Sequence, residues 1–154
     1  MVGEAPGQVE DRQGVPFVGP SGQLLRRWLA DLGLLGECSF VNAVSCWPKR
    51  TPTRKEIEAC KPNLARQLNW LNPERLLCVG NVAVSSFLYP MRDIGIGELH
   101  GLWWEAKWDG GTCWAFATYH PAAVLRNASL GRVVREDLGK FKERMKDEHT
   151  DITG

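Results

Sequence analysis

Five cysteines are scattered through 154 residues, an odd number with no Cys-x-x-Cys pair among them. That usage excludes a disulfide framework and fits a reducing compartment, so a cytoplasmic protein is expected. No apolar run is long enough to span a membrane, and no charged-then-apolar stretch opens the chain as a secretion signal would. A membrane partner is therefore not expected. Nineteen Lys and Arg face eighteen Asp and Glu, which leaves a net charge of +1. Such a balance lacks the footprint of a protein that holds nucleic acid by bulk charge. Any such contact must come from a local basic face, for which Lys49, Arg50, Arg54 and Arg126 are candidates. Internal repeats, low-complexity tracts and linkers are missing too. Neither a Gly-x-Gly-x-x-G nor a Walker loop follows a strand, which discounts a nucleotide-binding domain. One domain over residues 1–154 is expected, large enough to bury a core.

What the chain does have is concentrated in its first 22 residues. Five glycines, three prolines and three carboxylates surround a single aromatic, Phe17. Gly and Pro at this density argue against a helix or long strand and for a loop of defined shape. Val15, Phe17 and Val18 argue against disorder, because a disordered loop would not carry buried-type residues just before an amphipathic helix. An ordered loop bearing Glu4, Glu10, Asp11 and Phe17 has the contents of a site for something flat and polar.

Periodicity supplies the rest of the frame. Leu24, Leu25, Trp28, Leu29 and Leu32 predict a helix over 21–33 that stops at Gly33. Residues 39–45 read as a short buried strand. Thr53 and Glu56 form a capping-box signature, and Ile57, Cys60, Leu64, Leu68 and Leu71 mark the helical face that follows. Arg75–Val79 reads as a buried strand, 82–88 as a helix, and 102–108 with 112–118 as strands joined by an Asp109-Gly110-Gly111 turn. Residues 130–146 close the pattern as an amphipathic helix. Strands alternating with helices imply a three-layer α/β/α domain with a parallel central sheet. In such sheets ligands bind beyond the carboxyl ends of the strands, so loops starting near Gly3, Asn42 and His120 should converge on one edge.

Three blocks carry a resemblance. Gly3-Glu4-Ala5-Pro6-Gly7 with Glu10-Asp11, Gly14-Val15-Pro16-Phe17-Val18-Gly19 and Ser21-Gly22-Gln23-Leu24-Leu25 is the first. Phe40-Val41-Asn42-Ala43-Val44-Ser45-Cys46-Trp47-Pro48 and Tyr119-His120-Pro121-Ala122-Ala123-Val124-Leu125-Arg126 are the others. In this order they resemble the family 4 uracil-DNA glycosylases, over residues 2 to about 144. The resemblance implies an α/β/α sandwich with a mostly parallel four-stranded sheet. It also implies a monomeric enzyme that hydrolyses the N-glycosidic bond of a flipped-out deoxyuridine in DNA.

The same resemblance assigns roles. Glu4 would stabilise an oxocarbenium-like sugar and orient water, and His120 would offer a ring NH to uracil O2. As a neutral imidazole it needs no proton transfer to do so. The Asn42 amide has the donor–acceptor order that suits uracil N3 and O4 and mismatches cytosine. Phe17 would stack on the base, Glu10 would crowd a 5-methyl group, and Gly3 and Ala5 would shape the pocket. Leu125 would fill the vacated base position while Arg126 takes a phosphate. Family 4 members carry a 4Fe–4S cluster on four cysteines, and here Cys46 and Cys60 match two of the positions. Cys38, Cys78 and Cys113 match none, so a complete cofactor is not expected in this chain, and a longer chain would have to supply the other two ligands. The alternative function is a catalytically weak or inactive DNA- or base-binding domain of the same fold, acting beside a polymerase or nuclease.

Overall fold

The computed structural model describes residues 1–88 and 94–147; the remaining residues of the expected 1–154 domain lie outside the described part. Within it a five-stranded sheet runs in the order β2-β1-β3-β5-β4. The strands are β1 (Val2–Gly3), β2 (Val41–Asn42), β3 (Arg75–Val79), β4 (Trp103–Trp108) and β5 (Gly111–Thr118). β1 is parallel to β2 and to β3, and β3 to β5, whereas β4 is the antiparallel edge. One strand more than the expected four is present, because the hairpin partner β4 joins the same sheet rather than standing apart.

β3 shows why this sheet needs two covering layers. Its side chains alternate between faces, and both faces are apolar. Leu76 and Cys78 pack with Leu64, Leu68, Val84 and Phe87 from α3 (Arg54–Leu71) and α4 (Asn81–Leu88). Leu77 and Val79 pack with Leu25 and Leu29 of α2 (Pro20–Asp31) and with Val134, Leu138 and Phe141 of α7 (Leu130–Asp147). The result is the expected α/β/α sandwich. No helix among the described residues is long and apolar enough to cross a membrane.

Among the described residues one buried carboxylate serves this packing. Asp137 of α7, 1% exposed, accepts from Thr118 Oγ1 at 2.8 Å, and His100 Nδ1 lies 3.1 Å from the same oxygen. A buried charge without such partners would cost several kcal/mol. The pair therefore pins α7 to the last residue of β5.

Two expectations need correction. The opening segment is not all loop: Gln8–Gln13 forms a helix, α1, between Gly7 and Gly14. Those six residues contain neither Gly nor Pro, and Gly14, in the left-handed region at φ 69°, ends the helix by donating to Glu10 O. Composition averaged over 22 residues concealed it. The strand over 39–45 shortens to Val41–Asn42, although the next two amides still bind across, Ala43 to Gly3 O and Val44 to Glu4 O, each at 2.9 Å.

At the start of α3 the capping box forms as read. Thr53 Oγ1 accepts from the Glu56 amide and the Glu56 carboxylate accepts from the Thr53 amide. Arg50 donates to both Glu56 oxygens at 3.0 and 2.9 Å, and these contacts hold the carboxyl down at about 2. Replacing Thr53 with Ala should cost about 1 kcal/mol. That loss corresponds to a melting temperature lowered by about 2–4 °C, measurable by calorimetry.

Candidate active site

β1, β2, β3 and β5 all run the same way, so Gly3, Asn42, Val79 and Thr118 end on one edge. The chain leaves β1 toward β2 on one side and later reaches β3 on the other. That reversal opens a crevice at the strand ends. A cleft of about 570 Å³ lies there, with Glu4, Ala5, Glu10, Phe17, Asn42, His120 and Arg126 among its walls. The three sequence blocks therefore meet.

Phe17 is set by an unusual backbone. Its φ is +57°, a region that aromatic residues rarely occupy, and the surroundings hold it there. Arg26 donates to Phe17 O at 2.7 Å and to Pro16 O at 2.9 Å, and its guanidinium lies 4.1 Å over the Phe40 ring. Gly22 of α2 lies so close that a Cβ there would sit 2.3 Å from the Phe17 carbonyl carbon. The Phe17 ring, only 5% exposed, is both a wall of the cleft and part of the core. Gly3 lies beneath the cleft: its Cβ would come within 2.2 Å of Phe17 Cζ and 2.7 Å of Asn42 Oδ1. The Asn42 side chain makes no hydrogen bond to the described residues, so its amide is open to a ligand.

His120 caps α6 (Pro121–Arg126), with its Nδ1 accepting the Ala122 N–H at 3.0 Å. An imidazole nitrogen that accepts carries no proton, so the single proton sits on Nε2. Desolvation and the Arg126 cation push the His120 pKa down to about 4, against a smaller opposing pull from Glu10. His120 is thus a neutral Nε2–H donor throughout the physiological range. Glu4 moves the other way. Burial raises its pKa above 4.5, and Arg126 partly offsets the rise. One cation thus acts on two titrating groups of the cleft.

The remaining candidates lie in the cleft wall or beside it. Glu10 is half-buried and braces the loop, its Oε1 accepting the Gly19 N–H at 2.9 Å. Leu125 is 57% exposed on α6 and does not line the cleft, while Arg126 does. Trp47, Pro48 and Thr51 line it although no site role was read for them. The interleaving of Trp47 with Lys49 and Arg50 was the available signal.

Cys46 is exposed, and Cys60 packs beside Ala43, Val44, Ile57 and Val82. Among the described residues no three His, Cys, Asp or Glu side chains are grouped to hold a metal ion. Cys46 and Cys60 alone therefore do not fit a four-thiolate cluster. Burial drives Cys78 to about 12 and Cys113 to about 11, so both stay protonated thiols.

Residues 1–147 match the Uracil DNA glycosylase superfamily. This chain belongs to that superfamily. It is 40% identical over 146 residues to a type-4 uracil-DNA glycosylase of Pyrobaculum aerophilum, covering 92% of this chain and 74% of that protein. The corresponding protein of Archaeoglobus fulgidus is 38% identical over 149 residues, 93% of this chain and 74% of its own length. That of Thermotoga maritima is 38% identical over 153 residues, 96% and 78%. The superfamily match over residues 1–147 includes every strand described above and all three blocks at the cleft.

Gly3→Ala tests the packing under the cleft. Forcing a Cβ against the Phe17 ring should destabilise the fold by about 1–3 kcal/mol, read by denaturant unfolding. Unchanged stability would mean that Phe17 moves aside freely.

Proposed function

We propose that this superfamily member is a uracil-DNA glycosylase, a hydrolase of base-excision repair that releases uracil from DNA. The observation that carries the reading is the convergence of Glu4, Phe17, Asn42 and His120 on one cleft. The names of its relatives support it.

The duplex hides the glycosidic bond, so the deoxyuridine must be extruded into the cleft before reaction. Phe17 stacks on the flat base, a contact worth about 1–3 kcal/mol. The Asn42 oxygen accepts from N3–H and its nitrogen donates to O4. Glu10 shapes the wall near C5 by bracing Gly19, and Gly3 and Ala5 leave room for the base. As the C1′–N1 bond breaks, the electron pair leaves with the base and spreads onto O2. The His120 Nε2–H stabilises that charge without surrendering its proton, because the imidazole is already neutral and fixed in the correct tautomer. Ionised Glu4 faces the cationic sugar and orients the water whose oxygen bonds to C1′. The water's proton neutralises the departing uracil anion. Arg126 takes a DNA phosphate, and Leu125, exposed beside it, enters the vacated base position.

The protein acts as a single-domain monomer in the cytoplasm, with no membrane partner. Cys46 and Cys60 ligate a 4Fe–4S cluster only where a longer chain places two further cysteines beside them, and no step above uses it.

Incubation with a uracil-containing oligonucleotide followed by alkaline cleavage tests the activity. Strand scission at uracil, and none at thymine or cytosine, is expected; an intact strand would overturn the reading. Arg126→Ala supplies a finer test. Arg126 lowers the Glu4 pKa, so its loss raises that pKa, and the carboxylate protonates at higher pH. The acidic limb of kcat/KM should shift to higher pH in Arg126→Ala and stay in place in Arg126→Lys.

A further inference from the structure

The wall of the cleft built by Trp47, Pro48, Arg50 and Thr51 has no part in the chemistry above, yet its construction is specific. Trp47 is half-buried at the rim. Lys49 is held at φ +62°, in the left-handed region that lysine seldom adopts, and its ammonium lies 5.6 Å from the Trp47 ring centroid. Arg50, gripped in its two-pronged contact with Glu56, anchors the segment to the capping box of α3. Pro48 stiffens the turn between aromatic and cation. A tryptophan so mounted lines the same cleft as Glu4 and His120, with Arg126 on another part of its wall.

An aromatic face beside an exposed cation, at the mouth of a site for one extruded nucleotide, matches the chemistry that holds unpaired strands. Bases of any identity stack on such a face, and the cation follows the phosphates. In a duplex the neighbouring bases stay paired in the helix, and the face that extrusion uncovers is the one Leu125 covers. On the reading given under Proposed function, we propose that Trp47 and Lys49 form a subsite for the nucleotide flanking the extruded deoxyuridine. Its base stacks on Trp47 while Lys49 swings from the ring to the adjoining phosphate. The subsite favours single-stranded over double-stranded DNA and is indifferent to the flanking base. Arg50 is a positioning residue whose charge is spent on Glu56.

The test compares Trp47→Ala, Trp47→Phe and Lys49→Ala with the parent protein on the same uracil site in single- and double-stranded oligonucleotides. Trp47→Ala should raise KM on the single strand by about 5- to 150-fold, with a much smaller change on the duplex and little change in kcat. Trp47→Phe should restore most of the loss. Lys49→Ala should flatten the dependence of log K on log salt by about 0.7, one phosphate's share on a single strand. Inhibition by free uracil should be the same in parent and Trp47→Ala. An equal KM change on both substrates, no change on either, or loss of uracil inhibition would overturn the proposal. Fluorescence anisotropy with a labelled, uracil-free single strand reads the subsite without turnover. A parent protein that binds this strand through Trp47 but excises no uracil would refute the glycosylase reading and leave the subsite standing. Binding unaffected by Trp47→Ala would refute the subsite alone.

Discussion

Close approach at two glycines is the constraint on which this site depends. A Cβ on Gly3 would collide with the tip of Phe17 and with Asn42, and one on Gly22 would collide with the Phe17 backbone. Without side chains there, β1 and α2 draw close enough for the loop between them to turn its aromatic inward at a positive φ. Arg26 then ties down the two carbonyls that the turn exposes. Strain of this kind persists only where the surroundings over-determine it. The pocket wall is thereby rigid before any ligand arrives, which lowers the ordering cost of binding a flat base.

Electrostatics in the cleft follows from the same compactness. His120 is desolvated, caps a helix with Nδ1 and faces Arg126, and all three keep it neutral. Glu4 is desolvated beside the same guanidinium, which restores part of its acidity. A neutral hydrogen-bond donor and a carboxylate thus share one cation. That division suits a reaction in which the sugar becomes positive while the base becomes negative. The Asp137 carboxylate illustrates the contrast: more deeply buried, it is consumed by Thr118 and His100 in holding the fold.

The sequence made some of this legible and not the rest, for physical reasons. β3, with both faces apolar, and α3, with its capping box, were plain because each is specified by residues close together in the chain. The meeting of Glu4, Asn42 and His120 followed from placing three motifs at the ends of parallel strands. α1 escaped notice because its six permissive residues sit among glycines and prolines. Both strands of the hairpin were legible, but not that β4 joins the central sheet as its fifth strand, because pairing between hairpin and sheet is a tertiary fact. Arg26 and the proton position on His120 depend on contacts that no spacing rule encodes: a carbonyl turned outward, a backbone N–H aimed at Nδ1.

The central claim, that a neutral His120 donates from Nε2 to a uracil bound in this cleft, is tested most directly by imidazole nitrogen NMR at neutral pH. Spectra of the protein with and without free uracil, with His120→Gln to assign the resonance, would decide it. The account predicts an unprotonated Nδ1, a protonated Nε2, and a shift of the Nε2–H signal alone when uracil binds. A protonated Nδ1, or an Nε2–H signal indifferent to uracil, would contradict it.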